Sequence, residues 1–419
     1  MSDFKDFKEI IEKERKENKE EGNKEDNGNN KESQTVIPAG VFKPHLDLSN
    51  LSKIALPGLN ISNSASLTDL DKKTIVIQTK EFSDILKMIS FGTPLRSAIE
   101  KIAKARTGAL IVVGNEDVLK LIKGGFYIDC KFTPNRVAEL AKMDGAIILN
   151  NKLSRILYAA TLLVPDPEIK TTETGSRHQC AERTAKQTNQ LVIAVSQRTG
   201  NLTVYYGNVR YQLKQLEDLL SRTRATLNNL EKYRKVVDNL VSKLNMLEIM
   251  GFTEIYDVTL IIQRMEIVLR IEKEIRRYIL ELGKEAGFLE MEFKELIKDV
   301  EKEYLHIIRD YKNKTSAKRI RKYLSEFSYD SLLDLNNISK ILGYSATSEK
   351  ISAKGYRLLS RLKSLSPVKI ELLLKKFTLR EIFDMNAEKL ERQGGIDKKE
   401  ATVIVEEIKK LKNELISKL

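Results

Sequence analysis

The chain has no tryptophan, only two cysteines and only three histidines in 419 residues. Cys130 and Cys180 are too few for a disulfide framework, and no CxxC pair offers a zinc site. No apolar run approaches the roughly 18 residues that span a bilayer. The N-terminus, MSDFKDFKEIIEKERKENKE, is charged throughout and lacks the apolar core of a signal peptide. The expectation is a cytoplasmic protein without membrane contact; association with the nucleoid is compatible with its charge. There is no GxxxxGK[ST] loop, no GxGxxG opening a helix and no persuasive Ser/His/Asp arrangement. A P-loop kinase, a Rossmann dehydrogenase and a serine hydrolase are thereby disfavoured.

What is present is charge. Charged residues make up 31% of the chain, apolar ones 41%, and the net charge is +13. Such a balance favours an anionic partner, with nucleic acid and nucleotides the natural candidates. The length predicts two or three domains. Residues 1–80 form an extension: KENKEEGNKEDNGNNKES reads as disordered, and the Pro-, Ser- and Asn-bearing stretch after it as a weakly ordered arm.

An α/β domain is expected over 81–210. FSDILKMISFGTPLRSAIEKIAKARTG reads as two helices split at Gly92-Thr93-Pro94, with Thr93 capping the second and Pro94 at its first position. Strands are expected at 108–114, 126–130, 145–150, 155–164, 191–197 and 202–207, with a short helix at 133–143. Arg198-Thr199-Gly200-Asn201 reads as a hairpin loop. From 211 to 329 the strands give way to a helical spine. Leu213, Leu216, Leu220, Leu227, Leu230, Tyr233, Val237, Leu240, Leu244 and Leu247 recur at mostly helical steps, and Gly251 ends the run. A second long helix is expected over 258–283. Residues 330–419 read as short helices with two tight turns, RLKSLSP (361–367) and QGGID (393–397). Two such turns in tandem resemble a double helix-hairpin-helix, which grips phosphates with backbone N–H groups; a protein-interaction module is the alternative.

Two stretches could carry chemistry. Asp144-Gly145 precedes a buried strand; a carboxylate there can bind a divalent metal and the Gly admits close approach, although Asp-Gly is also a common turn. Gly175-Ser176-Arg177-His178 leads into the helical AERTAKQ. It offers a hydroxyl, a guanidinium and an imidazole, a donor or metal ligand, at a helix N-terminus. An ordinary capped helix is the bland alternative. Ser196-Gln197-Arg198 suits a phosphate contact or a polar hairpin end equally.

GTPLRSAIEKIAKARTGALIVVG, GGFYIDCKFTPNRVAELAKMDGAIILN, ILYAATLLVPDPEIKTTETGSRH, AERTAKQTNQLVIAVSQR, QRMEIVLRIEKEIRRYILELG and SAKGYRLLSRL, in that order, resemble the DNA-integrity scanning diadenylate cyclases, the DisA family. The resemblance runs from about residue 83 to the end. It implies a multidomain α/β plus all-α protein: a mixed-sheet cyclase domain, a helical spine and a C-terminal tandem helix-hairpin-helix. It implies condensation of two ATP to cyclic di-AMP with Mg2+ or Mn2+, paired cyclase faces within an octamer, and binding of branched DNA such as Holliday junctions.

By the same resemblance Asp144 binds metal and helps activate the ribose 3′-hydroxyl, and Arg177 and His178 complete the catalytic set. Gly145, Ala146, Leu163, Ser176, Cys180 and Ser196 match ATP-binding positions. Gly394, Gly395, Lys398 and Lys399 match the DNA-binding hairpin. Two departures stand out. Gln179 replaces the second Arg of an Arg-His-Arg motif, and Cys180 replaces a hydroxyl. The lost cation would cost roughly 1.5–3 kcal/mol if that Arg meets phosphate, and nothing if it points away. Asp397 replaces a glycine in the second hairpin and would repel phosphate. A DNA-binding or assembly protein with a nucleotide-binding but weak cyclase domain is therefore the alternative reading.

Overall fold

The computed structural model describes residues 80–417. The extension expected over 1–80 lies, except for its last residue, outside the described residues. Helices α1 (Lys80–Met88) and α2 (Pro94–Ala105) open the described chain, and the Thr93 hydroxyl caps α2 by accepting the Arg96 N–H. Strand β1 (Ala109–Gly114), helix α3 (Glu116–Leu119), strands β2 (Ile122–Lys123) and β3 (Phe126–Lys131), and helix α4 (Pro134–Leu140) follow. Then come β4 (Ala146–Asn150), β5 (Arg155–Leu163), α5 (Ser176–Thr188), β6 (Val192–Val195), β7 (Leu202–Tyr206) and β8 (Val209–Leu213).

The strands form one mixed sheet in the order β2-β5-β4-β1-β6-β7-β8, with β3 paired to β5. Only β1 and β4 run parallel; the other named pairs are antiparallel. Side-chain alternation divides the strands between two cores. Ile111, Val113, Ile147, Leu149, Ile193 and Val195 face α1, α2 and α4, while Leu110, Val112, Ala146, Ile148, Val192 and Ala194 face α5. Central β1 is buried on both faces, which explains its unbroken apolar run. β8 was not expected, although VRYQL alternates between buried and exposed positions.

The spine is a hairpin of two long helices, α6 (Leu216–Met250) and α7 (Ile255–Leu282). α6 stops at Gly251 in the left-handed region (φ 73°). Helices α8 (Gly287–Leu296), α9 (Val300–Tyr311), α10 (Ala317–Glu326), α11 (Tyr329–Leu333) and α12 (Leu335–Leu342) pack on this hairpin. Leu332, Ile338 and Leu342 belong to its core. A separate core, including Leu358, Ile370, Leu373, Ile382, Leu390 and Ile404, unites α13 (Tyr356–Leu359), α14 (Pro367–Lys376), α15 (Leu379–Asp384), α16 (Ala387–Gly394) and α17 (Lys398–Ser417).

Each end of the spine is fixed by buried charge. Towards the sheet, the fully buried Glu281 carboxylate accepts the Tyr211 hydroxyl (2.6 Å) and the Lys214 N–H (2.8 Å). Arg96 closes the cluster, donating to Glu100 and to the Lys214 carbonyl, with its guanidinium over the Phe91 ring. Towards the C-terminus, Arg357 donates to Asn245 (2.6 Å) and Glu248 (2.7 Å) on α6. No described helix is long and apolar enough to cross a membrane.

Candidate active site

Strand register gathers the candidate residues. Leu110 pairs with Ala146 in parallel and with Ala194 in antiparallel register, and Ala146 pairs with Thr161. Two residues further along each strand, Gly108, Asp144, Ser196 and Leu163 fall at one end of the sheet. Gly145 is required there. Its φ is +111°, and a Cβ would lie 2.6 Å from the carbonyl carbon of Ala160. β5 bulges at that point, with Ala160 itself at φ 51°. Ala146 is buried, and the Thr161 hydroxyl donates to its carbonyl at 2.9 Å. The Asp144 side chain is exposed and joins no ion pair with the described residues.

Helix α5 brings the second stretch to the same end. Gly175 is its N-cap and supplies no side-chain cap, so among the described residues no side chain occupies the first-turn amides from Ser176 onward. Arg177 lies across Gly108: a Cβ at 108 would collide with the guanidinium and come within 3.0 Å of Gln197 Cβ. The Ser196 hydroxyl oxygen accepts the Thr199 N–H, leaving its own proton free to donate. Leu163 is buried, and its carbonyl accepts the Cys180 thiol at 3.7 Å. Burial pushes the Cys180 thiol pKa up, so the group stays protonated and turned toward β5.

His178 belongs to a chain of bonds that sequence reasoning missed. Its Nδ1 meets the Tyr205 hydroxyl at 2.9 Å, Tyr205 donates to Glu173 at 2.8 Å, and Arg210 pairs with the same Glu173 oxygen. Burial lowers the His178 pKa from its usual 6.5, assisted by Arg210 and Arg177 and opposed by Glu173. Burial alone would raise Glu173, but Arg210 and Tyr205 hold it below the usual carboxylate range. Burial and Glu173 push the Tyr205 phenol well up, so it remains a donor.

Gln179 takes a structural partner: its Nε2 donates to the Glu173 carbonyl at 2.9 Å. Further along α5 the same device repeats. Arg183 donates to Ile169 O (3.0 Å), Lys186 to Lys170 O (2.8 Å), and Gln187 accepts the Asp166 N–H (2.9 Å). Glu182 accepts the Thr172 N–H and the Thr171 hydroxyl. The charged helix thus holds the 166–173 loop along its length.

No group of three or more His, Cys, Asp or Glu among the described residues could hold a metal ion. A single exposed carboxylate nevertheless suits a cation that takes its remaining ligands from phosphate oxygens and water. Asp144 fits that role.

At the C-terminus, Gly395 ends α16 in the left-handed region (φ 70°), and Gly394 packs toward Leu373. Lys398 and Lys399 are exposed at the start of α17. The Asp397 carboxylate accepts the Lys399 N–H (3.3 Å), so it occupies an amide that a phosphate would use. At the other turn, Ser366 caps α14 and Pro367 opens it. Ahead of that turn, in SAKGYRLLS, the helix is confined to Tyr356–Leu359, because Gly355 (φ 98°) turns the chain immediately before it.

Comparison with known proteins agrees with this layout. Residues 96–209 match the DisA bacterial checkpoint controller nucleotide-binding family, and residues 213–351 the DisA bacterial checkpoint controller linker region. The DNA integrity scanning protein DisA of Symbiobacterium thermophilum is 43% identical over 336 residues, covering 79% of this chain and 96% of its own length. Its counterpart in Clostridium kluyveri is 42% identical, covering 80% and 97%. That of Acetivibrio thermocellus is 41% identical, covering 83% and 98%. The chain belongs to the DisA family of diadenylate cyclases.

Proposed function

We propose that the chain condenses two ATP into cyclic di-AMP where two cyclase domains face each other. Convergence of Asp144-Gly145 with Arg177 at one end of the sheet carries this reading. In the reaction each ribose 3′-oxygen attacks the α-phosphorus of the other ATP. The bond to the β-phosphate breaks, pyrophosphate leaves, and the hydroxyl proton is lost. One domain has one such site, so a partner domain must present the second nucleotide.

Gly145 lets the nucleotide approach the backbone ahead of β4, with Ala146 and Leu163 beside it. Ser176, Arg177, Ser196 and the open first turn of α5 receive the triphosphate. Asp144 would hold Mg2+ or Mn2+, whose charge offsets that of the phosphates, and also draws on the 3′-hydroxyl proton. Phe126, Tyr127 and Leu162 expose apolar surface on neighbouring strands β3 and β5, consistent with a paired face. We further propose assembly as an octamer and binding of branched DNA through the 361–367 and 393–399 hairpins, with Lys398 and Lys399 on the phosphates. The second hairpin works against the Asp397 carboxylate.

A second reading, a DNA-binding assembly protein with feeble turnover, draws on Gln179, which contributes no cation and is engaged with the loop. Incubation with ATP and either metal, followed by detection of cyclic di-AMP, separates the two. Product from the wild type and none from Asp144→Asn is expected. Absence of product with both metals, from protein that still binds ATP, would refute the cyclase proposal.

A further inference from the structure

The bonds around His178 carry information about its proton. Tyr205 has a single hydroxyl hydrogen, and the Glu173 carboxylate, an acceptor only, lies 2.8 Å away. The phenol therefore spends its proton on Glu173. Its oxygen is left to accept, and His178 Nδ1 at 2.9 Å must be the donor. Neutral His178 then carries its proton on Nδ1 and a lone pair on Nε2. The two ring nitrogens point to opposite sides of the imidazole, so Nε2 is directed away from buried Tyr205. It makes no hydrogen bond with the described residues.

Nothing in this chain of bonds is loose. Tyr205 is fully buried between β7 and α5, and its ring meets that of His178 edge-on, 6.2 Å between centroids. The Glu173 side chain is 14% exposed, and the oxygen that takes the Tyr205 hydroxyl also pairs with Arg210. Its carbonyl is held by Gln179. The segment ahead of α5 thus delivers Glu173 beneath the first turn, where it orders the third member of the candidate catalytic set.

We propose that Glu173 and Tyr205 are positioning residues of the cyclase, fixing His178 as the Nδ1–H tautomer so that Nε2 meets the nucleotide as an acceptor. The inference rests on the cyclase reading for its purpose, but not for its geometry. An acceptor nitrogen suits a ribose hydroxyl and is unsuited, while neutral, to a phosphate oxygen. The triphosphate is then left to Arg177 and the amides of α5. Arg210 is the outermost member, compensating the Glu173 charge.

Two measurements test this. Solid-state ¹⁵N spectra of the full chain labelled at histidine, with His178 assigned by its loss in His178→Asn, report the tautomer directly. The Nδ1–H form is expected in the wild type, and a mixture or the Nε2–H form in Tyr205→Phe. A wild-type Nε2–H signal would overturn the proposal whether or not the protein makes cyclic di-AMP. In turnover assays, Tyr205→Phe and Glu173→Gln should lower kcat roughly 10- to 100-fold. KM for ATP should stay within about twofold, as for a group acting mainly in the transition state. An unchanged kcat in both variants, each folded and ATP-binding, would equally overturn it.

Discussion

Replacing Asp310 by Asn should flatten the pH dependence of the joint between the spine and the C-terminal helices. Asp310 sits on α9, 1% exposed. Its two oxygens accept the backbone N–H groups of Tyr356 (2.6 Å) and Arg357 (2.9 Å), the otherwise unpaired amides that open α13. Beside it Arg357 is bonded to Glu248, which also accepts the Tyr311 hydroxyl. Burial, and then the Glu248 charge, push Asp310 from its ordinary 3.8 up to about 7, against the pull of the two amides and Arg357. Between those values the folded protein keeps a proton that the unfolded chain releases. The contribution of this group is therefore complete below about pH 4 and is lost as pH rises toward 7, a span of roughly 4 kcal/mol.

Hydrogen exchange of the amides around Tyr356 and Arg357 is the suitable assay, because a chain of several domains has no single unfolding free energy. After correction for intrinsic exchange, wild-type protection should fall roughly 100-fold between pH 5 and pH 8, relative to Asp310→Asn. Asn keeps one acceptor and cannot titrate. Parallel protection profiles in the two proteins would show that Asp310 is already ionised in the fold, and the reasoning from burial would be wrong.

Gly145→Ala places a methyl 2.6 Å from the Ala160 backbone at φ +111°. It should cost about 3 kcal/mol of stability in melting experiments and about 100-fold in turnover by displacing Asp144. Gln179→Arg restores a cation worth roughly 1.5–3 kcal/mol at phosphate and gives up a loop bond worth about 1 kcal/mol. Cyclic di-AMP production should therefore rise about tenfold, and an unchanged rate would mean that the second cation is dispensable. Asp397→Gly frees the Lys399 amide and removes a carboxylate from the helix start. It should tighten binding to a four-way DNA junction about two- to fivefold at low salt, with the gain vanishing as salt rises.

Much of the sheet was legible because alternation is a local property. β1, β4 and β6 read as apolar runs, and β7 follows the Arg198–Asn201 loop as a hairpin should. β8 escaped for a local reason too. Leu213 suits the helical leucine series that begins there, and that series masked the alternation of Val209, Tyr211 and Leu213, all buried on one side. Leu332, Ile338 and Leu342 were read with the C-terminal segment because short helices look alike in sequence; their partners on α7 are more than fifty residues away.

The candidate site divides along the same line. Asp144-Gly145 and Ser176-Arg177-His178 announce themselves through unusual residues at element ends. Tyr205 and Arg210 do not, since a strand tyrosine and an exposed strand arginine are ordinary, and only the fold brings them to Glu173. The meaning of Gln179 changes most. In sequence it is a missing arginine. In the fold it is one of five loop-holding side chains along α5, with Glu182, Arg183, Lys186 and Gln187, and it secures the very carbonyl of Glu173. On the proposed cyclase reading, Gln179 gives up a cation at the phosphates and keeps the loop that supports His178 in place. An arginine there must then do two jobs from one side chain, and the rate of Gln179→Arg measures how well it can.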